Sequence, residues 1–149
     1  MVIDEINCKS RINSLTYRDW QQLLTLIPEI EKTSNFCEWY GGDKDEEGII
    51  HLPCSVSAPI VSQFLEIVYA IPIIINFDWG AWEEGRKIAS NEDFDFDTID
   101  LVMKCKLITA IVRNDRFCEG TLVFAFESGL ILKILKSIER EIRNKGMAY

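Results

Sequence analysis

The sequence is poor in the parts from which most catalytic and metal sites are built. Its 149 residues include a single histidine, His51, so the usual general base and the commonest metal ligand can come from one position alone. No CxxC spacing occurs, and no Ser-His-Asp grouping, phosphate loop or dinucleotide fingerprint is present. No apolar run approaches the roughly 20 residues that span a bilayer. The longest, Ile67 to Ile75, is interrupted by Pro72, so no membrane association is expected. The opening stretch MVIDEINCKSRI alternates charge and apolarity, which argues against a signal peptide and for a cytoplasmic protein. Basic residues are outnumbered 16 to 24, for a net charge of −8. An acidic surface repels phosphate backbones, so direct nucleic-acid binding is disfavoured. A basic partner remains open, including a nucleic-acid-binding protein whose groove an acidic chain would occupy.

What is present is globular. Hydrophobic residues make up 48% and charged residues 27%, enough for one domain over residues 1–149 with a real core. The cysteines, Cys8, Cys37, Cys54, Cys105 and Cys118, are odd in number, and free thiols in a reducing compartment are the natural reading.

Helical signals dominate. Residues 1–14 read as a polar lead-in. Thr16 is a good N-cap with Asp19 in the capping-box position, and Trp20, Leu23, Leu24 and Ile27 form one helical stripe that Pro28 should kink or end. Residues 41–48 form an exposed acidic loop, and Ile49 to Leu52 is a candidate short extended piece. Ser57 should cap a second helix with Pro59 in its first turn. Ile73-Ile74-Ile75 fits a strand or a buried helix, and its helical neighbours favour helix or irregular structure. Asp78 and Asp97 read as two further caps, with Phe77 and Trp82 at staple spacing. The helix from Thr98 to about Arg113 is apolar over most of its circumference, which marks it as central. Asn114-Asp115 turns the chain, and Gly129 ends the next helix. A last amphipathic helix from Leu130 to about Asn144 buries Ile131, Ile134, Leu135, Ile138 and Ile142. The fold class expected is therefore all-α, a compact bundle of five to six helices with an optional extended segment near 49–52.

Certain residue groups resemble a known family. They are Leu15-Thr16 with Asp19-Trp20 and Leu23-Leu24, then Phe77-Asp78-Trp79 with Trp82. Most specific is the stretch Leu107-Ile108-Thr109, Val112-Arg113 and Asp115-Arg116-Phe117-Cys118-Glu119-Gly120. Together they are similar to a small bacterial domain of unknown function, over most of the chain. The resemblance implies that these elements share one domain. It carries no activity, cofactor or partner with it.

The polar corner Arg113, Asp115, Arg116 and Glu119 is the densest candidate site. Two guanidiniums near a helix N-terminus would suit an anion. Each residue also has a local use: Asp115 as a cap, Arg113 at a helix C-terminus, Arg116–Glu119 as an i,i+3 pair, and Gly120 to let two helices approach closely. Trp79 and Trp82, placed on one helix face, would serve the core or give the corner an aromatic wall for a planar anionic ligand such as a nucleotide. The acids Asp93, Asp95, Asp97 and Asp100 fail as a calcium loop, because Thr98 and Lys104 stand where Gly and Glu are needed. Cys37, His51 and Cys54 fall short of a zinc site by one ligand and by pair spacing. Cys118 lacks a nearby histidine, and the helix after the corner is too poor in basic residues to read DNA.

Three functions follow in order of preference. The first is a non-catalytic module binding a protein or small anionic ligand at the Arg113–Glu119 corner. The second is an enzyme acting on a phosphate-bearing substrate, with Glu119 or Asp115 as general base. The third is an acidic inhibitor that mimics nucleic acid in host–phage conflict. No cofactor or metal is implied, and oligomeric state is not legible.

Overall fold

The computed structural model describes residues 2–50, 52 and 54–146. In chain order the elements are β1 (Val2–Asp4), α1 (Cys8–Asn13), α2 (Tyr17–Leu24), α3 (Ile27–Lys32), β2 (Cys37–Tyr40) and β3 (Cys54–Ser57). There follow α4 (Pro59–Ala70), β4 (Ile74–Asn76), α5 (Glu83–Ser90), α6 (Leu101–Asp115), α7 (Thr121–Glu127) and α8 (Leu130–Asn144). Short 3-10 turns lie at Glu5–Asn7, Trp79–Ala81 and Phe96–Thr98. Helix predominates, but the helices outnumber the five or six expected, and two small sheets make the fold other than all-α.

The strands form for non-local reasons. β1 and β4 pair in parallel, Val2 against Ile74 and Asp4 against Asn76. The β-branched run Ile73–Ile75 is thus drawn into a strand by a partner near the start of the sequence, which no local pattern announces. Its other edge meets α6: the Ile75 N–H donates to the Thr109 hydroxyl at 3.1 Å, and that hydroxyl donates to the Cys105 carbonyl at 2.8 Å. β2 and β3 form an antiparallel pair with Trp39 opposite Ser55. Residues 2–13, expected as a polar lead-in, form structure instead, because Ile3, Cys8 and Ile12 are buried in the core.

The 41–48 loop is exposed throughout, and Asp45 accepts from the N–H groups of Glu47 and Ile49. Of the extended piece expected at 49–52, Ile50 makes one isolated bridge to Lys44, while His51 lies outside the described residues with Pro53.

Local signals decide several helix ends. Thr16 and Asp19 form the full reciprocal capping box of α2. The break expected at Pro28 comes earlier: α2 ends at Leu24, and Pro28 sits in the first turn of α3, where its missing N–H costs little. α4 begins one residue later than expected, at Pro59, with Ala58 rather than Ser57 at the N-cap. Asp97 does not cap a helix. Asp95 takes that role for the turn Phe96–Thr98, and Asp100 accepts from the Met103 N–H at 2.9 Å to start α6. This frees Asp97 to bind α8, accepting from the Ser137 hydroxyl at 2.6 Å and from Arg140 Nε at 3.0 Å. Arg140 and Ser137 together hold the Asp97 carboxyl below its ordinary range.

α6 is central, as its all-round apolarity required. It packs against α1, α5, α7, α8 and β4. The buried cation Lys104 reaches from it to Glu141 of α8 at 2.8 Å. Burial raises the Cys105 thiol far above its ordinary value, so it is an inert core group. α8 presents its isoleucine stripe to the core as expected, with Ile131, Ile134 and Ile138 fully buried. The pairs Glu139–Arg143 and Glu141–Lys145 form on its outer side at 3.7 and 3.4 Å. Among the described residues no helix is long and apolar enough to cross a membrane.

Candidate functional site

The corner begins where α6 runs out. Its last turn carries Arg113, Asn114 and Asp115. The Asn114 carbonyl accepts the N–H groups of Phe117 and Cys118 at 3.0 and 2.8 Å, which folds the chain back. Asp115 accepts the Leu122 N–H at 3.0 Å, satisfying an orphan donor in the first turn of α7. Gly120 is held at φ 98°, a left-handed conformation that favours glycine. A Cβ there would meet open space, so conformation, not close helix approach, requires the glycine. Phe117 and Cys118, expected at the start of the next helix, sit in the turn and are exposed.

Glu119 does not pair with Arg116. Its carboxylate accepts the Ser55 hydroxyl at 3.4 Å, linking the corner to β3. The two arginines turn instead to α4. The guanidinium carbons of Arg113 and Arg116 lie 5.8 and 6.0 Å from the centre of the Tyr69 ring, and Arg116 Nη2 donates to the Tyr69 hydroxyl at 3.3 Å. Among the described residues neither guanidinium makes an ion pair. Two cations gathered on one ring repel each other, and the aromatic face offsets only part of that cost.

The arginines border a cleft of about 330 Å³ whose other walls are the end of β4 at Asn76, then Phe77, Trp79 and Phe117. The rings of Trp79 and Phe117 face each other at 5.9 Å and 33°. Thus Arg113, Arg116 and Trp79, expected from the sequence as parts of one site, line one cleft. Asp115 and Glu119 are engaged by a backbone N–H and a hydroxyl outside it.

Trp82 belongs to a second, adjoining space. Trp79 lies in a 3-10 turn capped by Asp78, and Trp82 lies between that turn and α5, so the two tryptophans do not share a helix face. Trp82 stacks edge-on against Phe77 at 5.3 Å and covers Gly85. Together Trp79 and Trp82 form one wall of an apolar groove of about 400 Å³, with Leu107 and Ile111 of α6 and Phe124 of α7 opposite. Trp79 therefore lines both spaces.

Sequence reasoning did not find Tyr69. Its ring lies far from the corner in sequence, and its only local sign is an aromatic with a polar tip beside the buried Val68. Among the described residues no group of three His, Cys, Asp or Glu side chains could hold a metal ion, and the one histidine lies outside them.

A family model for DUF6508 matches residues 15–144. The chain belongs to this family of unknown function. That agrees with the resemblance carried by the helix-capping, tryptophan and corner motifs. The DUF6508 span starts at the α2 cap and ends with α8, so it contains the cleft and the groove whole, while β1 and α1 precede it. No curated protein and no solved structure matches the chain.

Proposed function

We propose that the chain is a non-catalytic binding module for a small anionic ligand, held by Arg113 and Arg116 in the cleft beside Trp79. One observation carries this reading. In a protein of net charge −8, the Arg113 and Arg116 guanidiniums both lie within 6.0 Å of the centre of the Tyr69 ring and, among the described residues, form no ion pair. An anion between them would relieve their repulsion and accept the planar donor forks of both. A catalytic reading has less support, because Asp115 and Glu119 are both turned to other partners. A protein partner is the second reading, favoured by Phe117 and Phe124, which are 77% and 69% exposed near the same corner.

The test is an NMR titration with acetate and inorganic phosphate, following the arginine Nε–H signals. Shifts in wild type that vanish in Arg113→Gln and Arg116→Gln, with both variants keeping the wild-type melting temperature, are expected. Anion-independent spectra would sink the reading.

A further inference from the structure

The cleft and the groove are neighbours by construction. Trp79 lines both. On α6, Ala110 and Asn114 line the groove while Arg113 lines the cleft, and residues three or four apart on a helix are adjacent on its surface. From Leu107 to Asn114 the groove follows α6 for about 10 Å at the helical rise. The cleft that the guanidiniums border thus adjoins an apolar trough across Trp79.

The neutral polar side chains in that trough are already engaged, and Arg86, exposed at its edge, spends one donor on the backbone. Asn114 donates to the Thr121 hydroxyl at 3.4 Å, and Thr121 donates to the Cys118 carbonyl at 2.7 Å. Arg86 donates to the Gly80 carbonyl. A nucleobase would need directed donors and acceptors along its edge; this groove offers mainly apolar surface to its occupant.

We infer that the ligand is an amphiphilic anion: an aliphatic body in the groove formed by Trp82, Leu107, Ile111 and Phe124, with its carboxylate or phosphate head on Arg113 and Arg116. This rests on the anion-binding reading and adds the chemistry of the rest of the ligand. The head is placed beyond Trp79 because two guanidiniums border the cleft there, whereas Arg86 at the groove is single and already donates to the Gly80 carbonyl. Burial of the chain supplies most of the affinity, because the head site is small and open to water.

The experiment titrates the full chain with acetate, hexanoate, octanoate, octanol and AMP, reading the arginine Nε–H and tryptophan indole N–H signals. Affinity should rise about two- to fourfold per methylene from acetate to octanoate, as burial of apolar surface requires. Octanoate should bind at least tenfold more tightly than octanol or AMP. Filling the groove with Ala89→Trp, at an exposed position of α5, should abolish the chain-length dependence and leave acetate binding intact. Ser90→Phe, on the same rim, serves if the first variant does not fold. Affinity independent of chain length, or AMP binding more tightly than octanoate with both ligands lost in Arg113→Gln, overturns the amphiphile and keeps the anion site. Octanol equal to octanoate, with no effect of Arg113→Gln, overturns the anion site itself. Failure of every probe to bind overturns both.

Discussion

Thr109 is the residue whose substitution tests most directly how the strand beside the site is held. Its side chain is fully buried, and its hydroxyl is the partner that the outer edge of β4 would otherwise lack. One edge of the β4 backbone is satisfied by β1; on the other, the Ile75 N–H points at Thr109. Thr109→Val keeps the shape and removes the acceptor. Ile75 is buried, so its N–H cannot turn to water. An orphaned buried donor costs about 1–3 kcal/mol. Relief from burying the Thr109 hydroxyl offsets part of this, leaving a net loss of about 1–2 kcal/mol. For a chain of this size each kcal/mol lowers the melting temperature by about 2–4 °C, so a fall of about 2–8 °C is expected.

Two assays read it. Urea unfolding gives the free-energy loss, and amide hydrogen exchange at Ile75 reports the strand edge itself. Thr109→Ser is the control: it loses a methyl group at about 1 kcal/mol but keeps the hydroxyl, so Ile75 protection should persist. If Thr109→Val matches wild type in stability and in Ile75 protection, the hydroxyl is not what closes the edge, and β4 must be held by β1 and core packing alone.

Other perturbations separate competing effects. Gly85→Ala would gain about 1 kcal/mol of helix propensity in α5 but place a Cβ against the Trp82 ring, at a cost of about 1–3 kcal/mol; a net loss with altered tryptophan fluorescence is expected, and a simple gain would refute the close packing. Glu141→Gln strands the buried Lys104 ammonium and should lose about 3 kcal/mol in urea unfolding, whereas Lys104→Met, which leaves Glu141 with Lys145, should stay within about 1 kcal/mol of wild type; equal losses would contradict that asymmetry. The Asp97 carboxyl has a folded pKa below its unfolded value, so its contribution is full above the unfolded value, roughly pH 4, and is lost as pH falls through the folded one. Arg140→Ala should therefore lower stability at pH 6 and flatten its decline below pH 4, and an unchanged acid profile would argue against this pairing.

How far the residues announced the fold depends on the range of the forces involved. α2 and α8 were legible because their signals are local: a cap and box at Thr16 and Asp19, and an isoleucine stripe read every three or four residues. β1 and β4 were not, because each strand is short and finds its partner far away along the chain. The acids at 95, 97 and 100 show a subtler limit. Any of them suits a helix start by type and spacing, and only the position of Ser137 and Arg140 on α8 decides that Asp97 is the one withdrawn for tertiary use.

The candidate site divides the same way. Arg113, Asp115 and Gly120 could be placed from the sequence, since a helix end, a capping acid and a left-handed glycine are local necessities. What makes the arginines more than helix-end residues is Tyr69, on a different helix, and Trp79, in a turn that no helical period describes. α6 connects the two levels. Because it is apolar over most of its circumference it is held from several directions, by β4 through Thr109, by α8 through Lys104 and by α7 beyond the corner. A helix clamped in this way holds its last turn still, so Arg113 projects from a rigid base. Arg116, beyond the helix and exposed, is tethered through the Tyr69 hydroxyl, a bond it can exchange to follow a ligand. The pair is thus part fixed and part adjustable, and this predicts unequal consequences. Arg113→Gln should weaken anion binding uniformly, whereas Arg116→Gln should weaken it most for the larger head groups, phosphate more than carboxylate. Equal losses for both head groups in both variants would show that the two arginines act as one interchangeable charge.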